Sequence, residues 1–144
     1  MQDFVYFFFR EAAVEYINCG KSVFSRVARV CKNDQGGRHK AKTSWTSFLK
    51  ARLNCSVPGD YPFYFDEIQD VTGLVTGSYG DGRKAPAEQI VYATFGTPVN
   101  AIGGSAVCAF RMRDVADAFA GRFKEQRSMA SNWQPVEEHK VRFL

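Results

Sequence analysis

Between Ser25 and Gly59 the chain switches repeatedly between apolar and polar positions, and this stretch frames the rest. In SRVARVCKND, Val27, Arg29 and Cys31 alternate with Ala28, Val30 and Lys32; in WTSFLKARLNCSVPG, Trp45, Leu49, Ala51, Leu53 and Cys55 alternate with Lys50, Arg52 and Asn54. A period of two is the pattern of β-strands. The turn-forming cluster Asn33, Asp34, Gln35, Gly36 and Gly37 lies between the two pieces, so together they predict a β-hairpin. Trp45, Phe48, Leu49, Arg52 and Leu53 also fit helical spacing, but the stop at Pro58 and Gly59 and the preceding strand partner favour a strand.

Residues 3–10 carry aromatic side chains on both faces, as a strand in the middle of a sheet buried from two sides would. Residues 11–21 are polar and end in Asn18, Cys19 and Gly20, which predicts a loop. Residues 56–62 hold two of the five prolines and a glycine and mark a boundary between units. A further strand is expected within 63–75 around Phe65, Ile68 and Val71, then an exposed loop at 76–88, then strands at 89–95 and 105–112 joined by TPVNAIGG. Asp114 is placed to cap a short helix ending at Gly121, with Val115, Ala118 and Phe119 on one face. Farther on, only Met129, Trp133 and Val136 suggest packing.

The chain also echoes itself. VYFFFRE from Val5 resembles VYATFGT from Val91, and SRVARVCKND from Ser25 resembles GSAVCAFRMRD from Gly104, in the same order. Two copies of one sheet unit indicate an all-β repeat architecture such as a β-propeller, with about two blades present and loops longer than the usual ~40–50 residue period allows. In that alignment Cys31 and Cys108 are equivalent, each ending a valine-rich strand. Two blades without a closed ring leave two blade faces uncovered.

Composition agrees with a folded domain: 45% of the 144 residues are hydrophobic, 15% aromatic and 24% charged. Thirteen Phe and six Tyr suit β-structure. The net charge of +4 permits an acidic partner such as a glycosaminoglycan but lacks the concentrated basic field of a nucleic-acid binder. The apolar run at 4–9 has no basic leader or small-residue cleavage site, and no stretch approaches the ~20 apolar residues of a membrane-spanning helix.

Four cysteines, Cys19, Cys31, Cys55 and Cys108, are spaced without a CxxC pair, and only two histidines are present, which argues against a structural zinc site. Disulfides in an oxidising compartment and buried free thiols in a reducing one both remain open on this count. Asn54, Cys55 and Ser56 form the chain's one N-x-S glycosylation sequon. Lys32, Arg38, His39, Lys40 and Lys42 surround one loop and suit either a sulfated glycan or a solvated hairpin tip. Gly77, Gly82 and Lys84 resemble a phosphate-binding loop only superficially, because Arg83 stands where that pattern needs Lys and no helix follows. Pairing Cys31 or Cys108 with His39 or His139 gives no credible nucleophile, and Asp66, Glu67 and Asp70 read as a solvated strand edge. No catalytic, cofactor or metal site is expected, so an enzyme is not.

The motifs themselves carry a resemblance. VYFFFRE at 5–11, EYINCGK at 15–21, SRVARVCKND at 25–34, WTSFLKARLNCSVPG at 45–59, then YPFYFDEIQDV, TPVNAIGGSAVCAF and the SNW at Ser131 are similar to the central part of a semaphorin sema domain, most of all in invertebrate semaphorins, over about 3–141. The resemblance implies an extracellular fragment, 1–144, of a seven-bladed sema β-propeller, with a blade boundary near 56–62. It implies a guidance ligand that engages a plexin receptor in axon guidance and cell migration, acts as a dimer, and lies inside a longer chain. It pairs Cys55 with Cys108 and Cys31 with a Pro-Gly-Cys cysteine that this chain lacks, which leaves Cys19 as an odd thiol, either bonded between copies or capped or partly buried without a role. Central blades contact the receptor in this family, so the loops 11–21 and 97–104 are the expected contact segments. The alternatives are a plexin-like receptor sema domain, and an intracellular propeller scaffold or small enzyme with four free thiols.

Overall fold

The computed structural model describes residues 3–16, 20–38, 42–78, 86–129 and 131–137. Strands β1 (Phe4–Ala12), β2 (Val23–Cys31) and β3 (Leu49–Arg52) form an antiparallel sheet in that order. Buried positions along β2 include Phe24, Ser25, Arg26, Val27, Ala28 and Val30, so β2, and not β1, is the strand covered on both faces. Among the described residues β1 instead pairs only with β2 and alternates half-buried with exposed residues along most of its length, which corrects the expectation of a central aromatic strand. The third strand is shorter than its alternation suggests. Trp45 and Phe48 lie outside it, because the chain at Thr46 and Ser47 is held by the Asp34 carboxylate and not by a ladder.

A two-residue hairpin follows, β4 (Ser56–Val57) with β5 (Phe63–Tyr64), its turn carrying Pro58 and Pro62. The second sheet is centred on β8 (Ala87–Gly96). One edge of β8 pairs with β9 (Ser105–Arg111); the other pairs with β6 (Glu67–Val71) near its end and with β7 (Val75–Ser78) near its start. Thr72 bridges the gap: its N–H donates to the Tyr92 carbonyl at 2.9 Å, and its Oγ1 accepts from the Tyr92 N–H at 3.1 Å. So β7 is a strand where sequence predicted the start of a loop. Its Gly77 and Ser78 look loop-like in isolation and are ordered by the β8 backbone.

Helix α1 (Met112–Ala120) follows β9 directly, then a small hairpin of β10 (Lys124–Glu125) and β11 (Gln134–Pro135). The helix begins after Arg111, which is its N-cap. Asp114 lies within the first turn and accepts from Arg111 Nε at 2.7 Å, so it does not cap by bonding a backbone N–H. Val115 and Phe119, one turn apart, are buried, Ala118 is exposed, and Gly121 ends the helix as expected. Met129 is 94% exposed and packs on little.

Both sheets and the helix share one core: Val27, Leu53 and Cys55 from the first unit meet Ile68, Ala93, Phe95, Val115 and Phe119. The internal echo is real at the level of hairpins but shifted in register. Val5 faces Val30 and Val91 faces Phe110, so Cys31 corresponds to Arg111, and Cys108 to Ala28. Cys108 sits mid-strand. A three-residue offset also places the two cysteines on opposite sheet faces, which corrects their equivalence.

Candidate functional site

Three chain reversals emerge at one end of the paired sheets. At this end the first sheet is riveted to β6: Ser25, 1% exposed, donates its hydroxyl to the Asp66 carbonyl at 2.6 Å and accepts from the Ile68 N–H at 2.7 Å. Arg10 Nη1 reaches Glu67 at 3.3 Å, and Glu67 and Ile68 pair with Gly96 and Phe95, the last residues of β8. The described parts of the β1–β2 turn, 13–16 and 20–22, and the β8–β9 turn at 97–104 therefore leave the sheets at the same end.

The β4–β5 hairpin stands between them. From the first turn, Tyr16 meets Phe24 edge-on with centroids 6.3 Å apart, and the Arg52 guanidinium lies 3.5 Å from the Phe24 ring centroid and 5.2 Å from that of Tyr64. Arg52 also bonds Asp66 at 2.9 Å, so one cation links the first sheet, the hairpin and the residue that leads into β6. On the other side Phe63 meets Phe65 at 5.2 Å, and Phe65 comes within 3.2 Å of where a Cβ at Gly104 would stand. A side chain at Gly104 would press on the Phe65 ring. This glycine closes the β8–β9 turn, its carbonyl accepting from Thr97 N–H at 3.1 Å and its N–H donating to Thr97 Oγ1 at 3.0 Å.

This frame holds large apolar side chains in solvent. Tyr61 on the hairpin is 96% exposed, and Val99 and Ile102 on the β8–β9 turn are 103% and 80% exposed. Val14, Tyr16 and Val57 add exposed apolar area nearby in the chain. Exposed large apolar side chains on rigidly based loops fit a protein-recognition surface.

Beneath the β1–β2 turn lies a charged anchor. Arg26, almost fully buried, donates Nε to Glu11 and Nη2 to Glu15, the latter at 2.7 Å, and Lys50 reaches Glu11 at 2.6 Å. Burial pushes both carboxyls up, but the hydrogen bonds and charges of Lys50 and Arg26 at Glu11, and of Arg26 at Glu15, outweigh it and leave both below their ordinary value. The same pairing outweighs the burial of Arg26 and raises its pKa. The anchor fixes the start of the turn to β2 and β3.

Cys55 and Cys108 form a disulfide with Cα atoms 5.9 Å apart, joining the segment after β3 to β9 across the seam between sheets. Cys31 is half-buried and has no disulfide partner among the described residues, and its N–H donates to Ser47 Oγ at 2.9 Å. Cys19 lies outside the described residues, as do His39, Lys40, His139, Gly82 and Lys84. Asn54 is exposed beside the buried Cys55. Lys32, Arg38 and Lys42 are exposed on the β2–β3 loop. Asp66 and Glu67 are not a solvated edge: both are partly buried in ion pairs with Arg52 and Arg10. Gly77 belongs to β7 and packs near Ile90.

Sequence reasoning missed the β4–β5 hairpin and the roles of Ser25 and Arg52. The spacing of Pro58, Gly59, Asp60 and Pro62 between Val57 and Phe63 was the available signal for the hairpin. Nothing local marked Ser25, whose partners are about forty residues away.

Residues 68–143 match the family described as the Sema domain. Semaphorin-1A of Drosophila melanogaster is 61% identical over 139 residues, which is 96% of this chain and 15% of that protein. The chain thus spans about one seventh of that relative's length. Among solved structures, the extracellular domains 1–2 of Drosophila Semaphorin 1a align with a TM-score of 0.82 at 60% identity, covering 98% of this chain and 27% of that one. The structure of Drosophila Plexin A in complex with Semaphorin 1b aligns with a TM-score of 0.81 at 55% identity, covering 95% and 25%.

Proposed function

This chain belongs to the sema-domain family of semaphorins, its sheets being blades of a β-propeller, and on that premise we propose that it is part of an extracellular guidance ligand that binds a plexin-type receptor. The observation that carries the reading is the likeness to a solved structure of Plexin A in complex with Semaphorin 1b, at 55% identity. The apolar end of the two blades supplies the contact surface. Function here is geometry: the Cys55–Cys108 bond and the Ser25 and Arg52 links hold three loops in fixed relation, and a receptor buries Tyr61, Val99 and Ile102 between them.

Fully burying an aliphatic side chain contributes about 1.5–3 kcal/mol, so two or three such residues can dominate an interface. A dimeric ligand then brings two receptors together and raises avidity without new contacts. The effect on the responding cell is guidance of axon growth and migration.

The test is surface plasmon resonance of the complete ectodomain on an immobilised plexin ectodomain. Ile102→Asp and Tyr61→Asp should each weaken binding about tenfold or more, while Lys124→Ser on β10 leaves it unchanged. Unaltered binding by both apolar variants would overturn this surface. No binding by the parent protein to any plexin would overturn the receptor assignment.

A further inference from the structure

The β2–β3 loop leaves the first blade at the end opposite the apolar surface, since it follows Cys31 while the β1–β2 turn precedes Val23. Asp34 closes it. Its carboxylate accepts from Gly36 N at 2.9 Å, from Thr46 N and Oγ1 at 2.9 and 3.3 Å, and from Ser47 N and Oγ at 2.8 and 2.6 Å. Asp34 is the only acidic residue between Lys32 and Phe48, and its oxygens point into the base of the loop. The basic side chains Lys32, Arg38 and Lys42 are left exposed. Lys32 reaches Asp3 at 3.6 Å, but both side chains are largely solvated, at 54% and 73% exposure, and such a pair is easily exchanged.

An aromatic ring stands beside these cations in the chain. Trp45, immediately before the clasped Thr46, stacks on Phe7 with centroids 5.6 Å apart, yet remains 56% exposed. A fixed loop base, several cations and a half-open indole suit a polyanion with sugar faces: cations meet sulfates, and the ring meets a pyranose. Because the clasp already orders the loop base, less ordering entropy opposes binding. The Cys55–Cys108 disulfide suits an oxidising compartment, where sulfated glycans are common polyanions.

We propose that the Asp34-closed β2–β3 loop is a binding site for a linear sulfated glycosaminoglycan, with Lys32, Arg38 and Lys42 on its sulfates and Trp45 against a sugar ring. The site is independent of the receptor reading, because it lies at the other end of the blade. Glycan and receptor bind together.

Heparin-affinity chromatography and binding isotherms on the complete ectodomain test this, with desulfated heparin and anionic phospholipid vesicles as comparison probes. The parent should bind heparin with steep salt dependence and bind desulfated heparin weakly. The double substitution Arg38→Ser with Lys42→Ser should weaken heparin binding about tenfold at about 0.15 M salt. Trp45→Ala should weaken it several-fold, while Lys124→Ser leaves it unchanged and all variants keep their plexin affinity. An unchanged elution position for the double variant would overturn the site. So would an equal loss with Lys124→Ser, which would mean bulk charge alone, or equal retention by the vesicles, which would make the loop a lipid contact.

Discussion

Replacing Ser25 by alanine should loosen the seam between blades although it deletes a single oxygen. The hydroxyl is 1% exposed and serves two backbone groups of the neighbouring blade, donating to the Asp66 carbonyl and accepting from the Ile68 N–H. The Ile68 N–H lies in a buried setting, so losing its acceptor carries the desolvation cost of an unpaired donor, about 1–3 kcal/mol. The Asp66 carbonyl is only partly buried and water can replace its donor, so its loss adds no more than about 1 kcal/mol. The sum is about 1–4 kcal/mol. Urea unfolding of the complete ectodomain, followed by tryptophan fluorescence, reads it as a lower midpoint at unchanged slope. Hydrogen exchange localises it, because the Ile68 amide should exchange faster in the variant while amides of β10 do not change. A loss below about 0.5 kcal/mol, with Ile68 still protected, would refute the claim that this hydroxyl couples the blades.

Removing the disulfide by Cys55→Ala with Cys108→Ala opens a closure spanning 53 residues and should cost about 4 kcal/mol by chain entropy, read as a lower urea midpoint. Arg26→Met should destabilise the protein at pH about 7, and the difference from the parent should shrink as pH falls below about 4.5. Glu11 and Glu15 have depressed folded-state pKa values, so their contribution is complete above the ordinary 4.5 and disappears as they protonate; urea midpoints across that range check it. Cys19→Ser should convert a covalent dimer of the complete ectodomain into a monomer on non-reducing electrophoresis, and a parent that already migrates as a monomer would exclude that bond.

Much of the fold was legible because its hairpins are built from alternation that ladders enforce. The strands at β2, β8 and β9 were placed close to where the chain forms them, β1 was marked by its apolar run, and Gly121 ends α1 where the chain loses its helical pattern. What escaped was structure imposed from a distance. Val75 and Thr76 favour strands by type, but Gly77 and Ser78 beside them read as a loop, and pairing with β8 orders all four. Trp45 and Phe48 continue an apolar pattern, yet Asp34 holds the intervening Thr46 and Ser47 out of the ladder. The Cys31 and Cys108 alignment failed because matching residue types cannot reveal a three-residue shift in pairing, which only the opposing strand fixes. For the candidate surface, the loops at 11–21 and 97–104 came from family resemblance, whereas the hairpin that joins them became visible only through the contacts of Arg52 and Phe65.

Hydrogen exchange of the complete ectodomain, with and without the plexin ectodomain, tests the central claim most directly because it maps contact without substitution. Receptor binding should protect peptides covering 57–64 and 97–104, while 32–48 and 124–135 exchange as in the free protein. Protection confined to 32–48 or to β10 and β11, with the apolar end unchanged, would contradict the account.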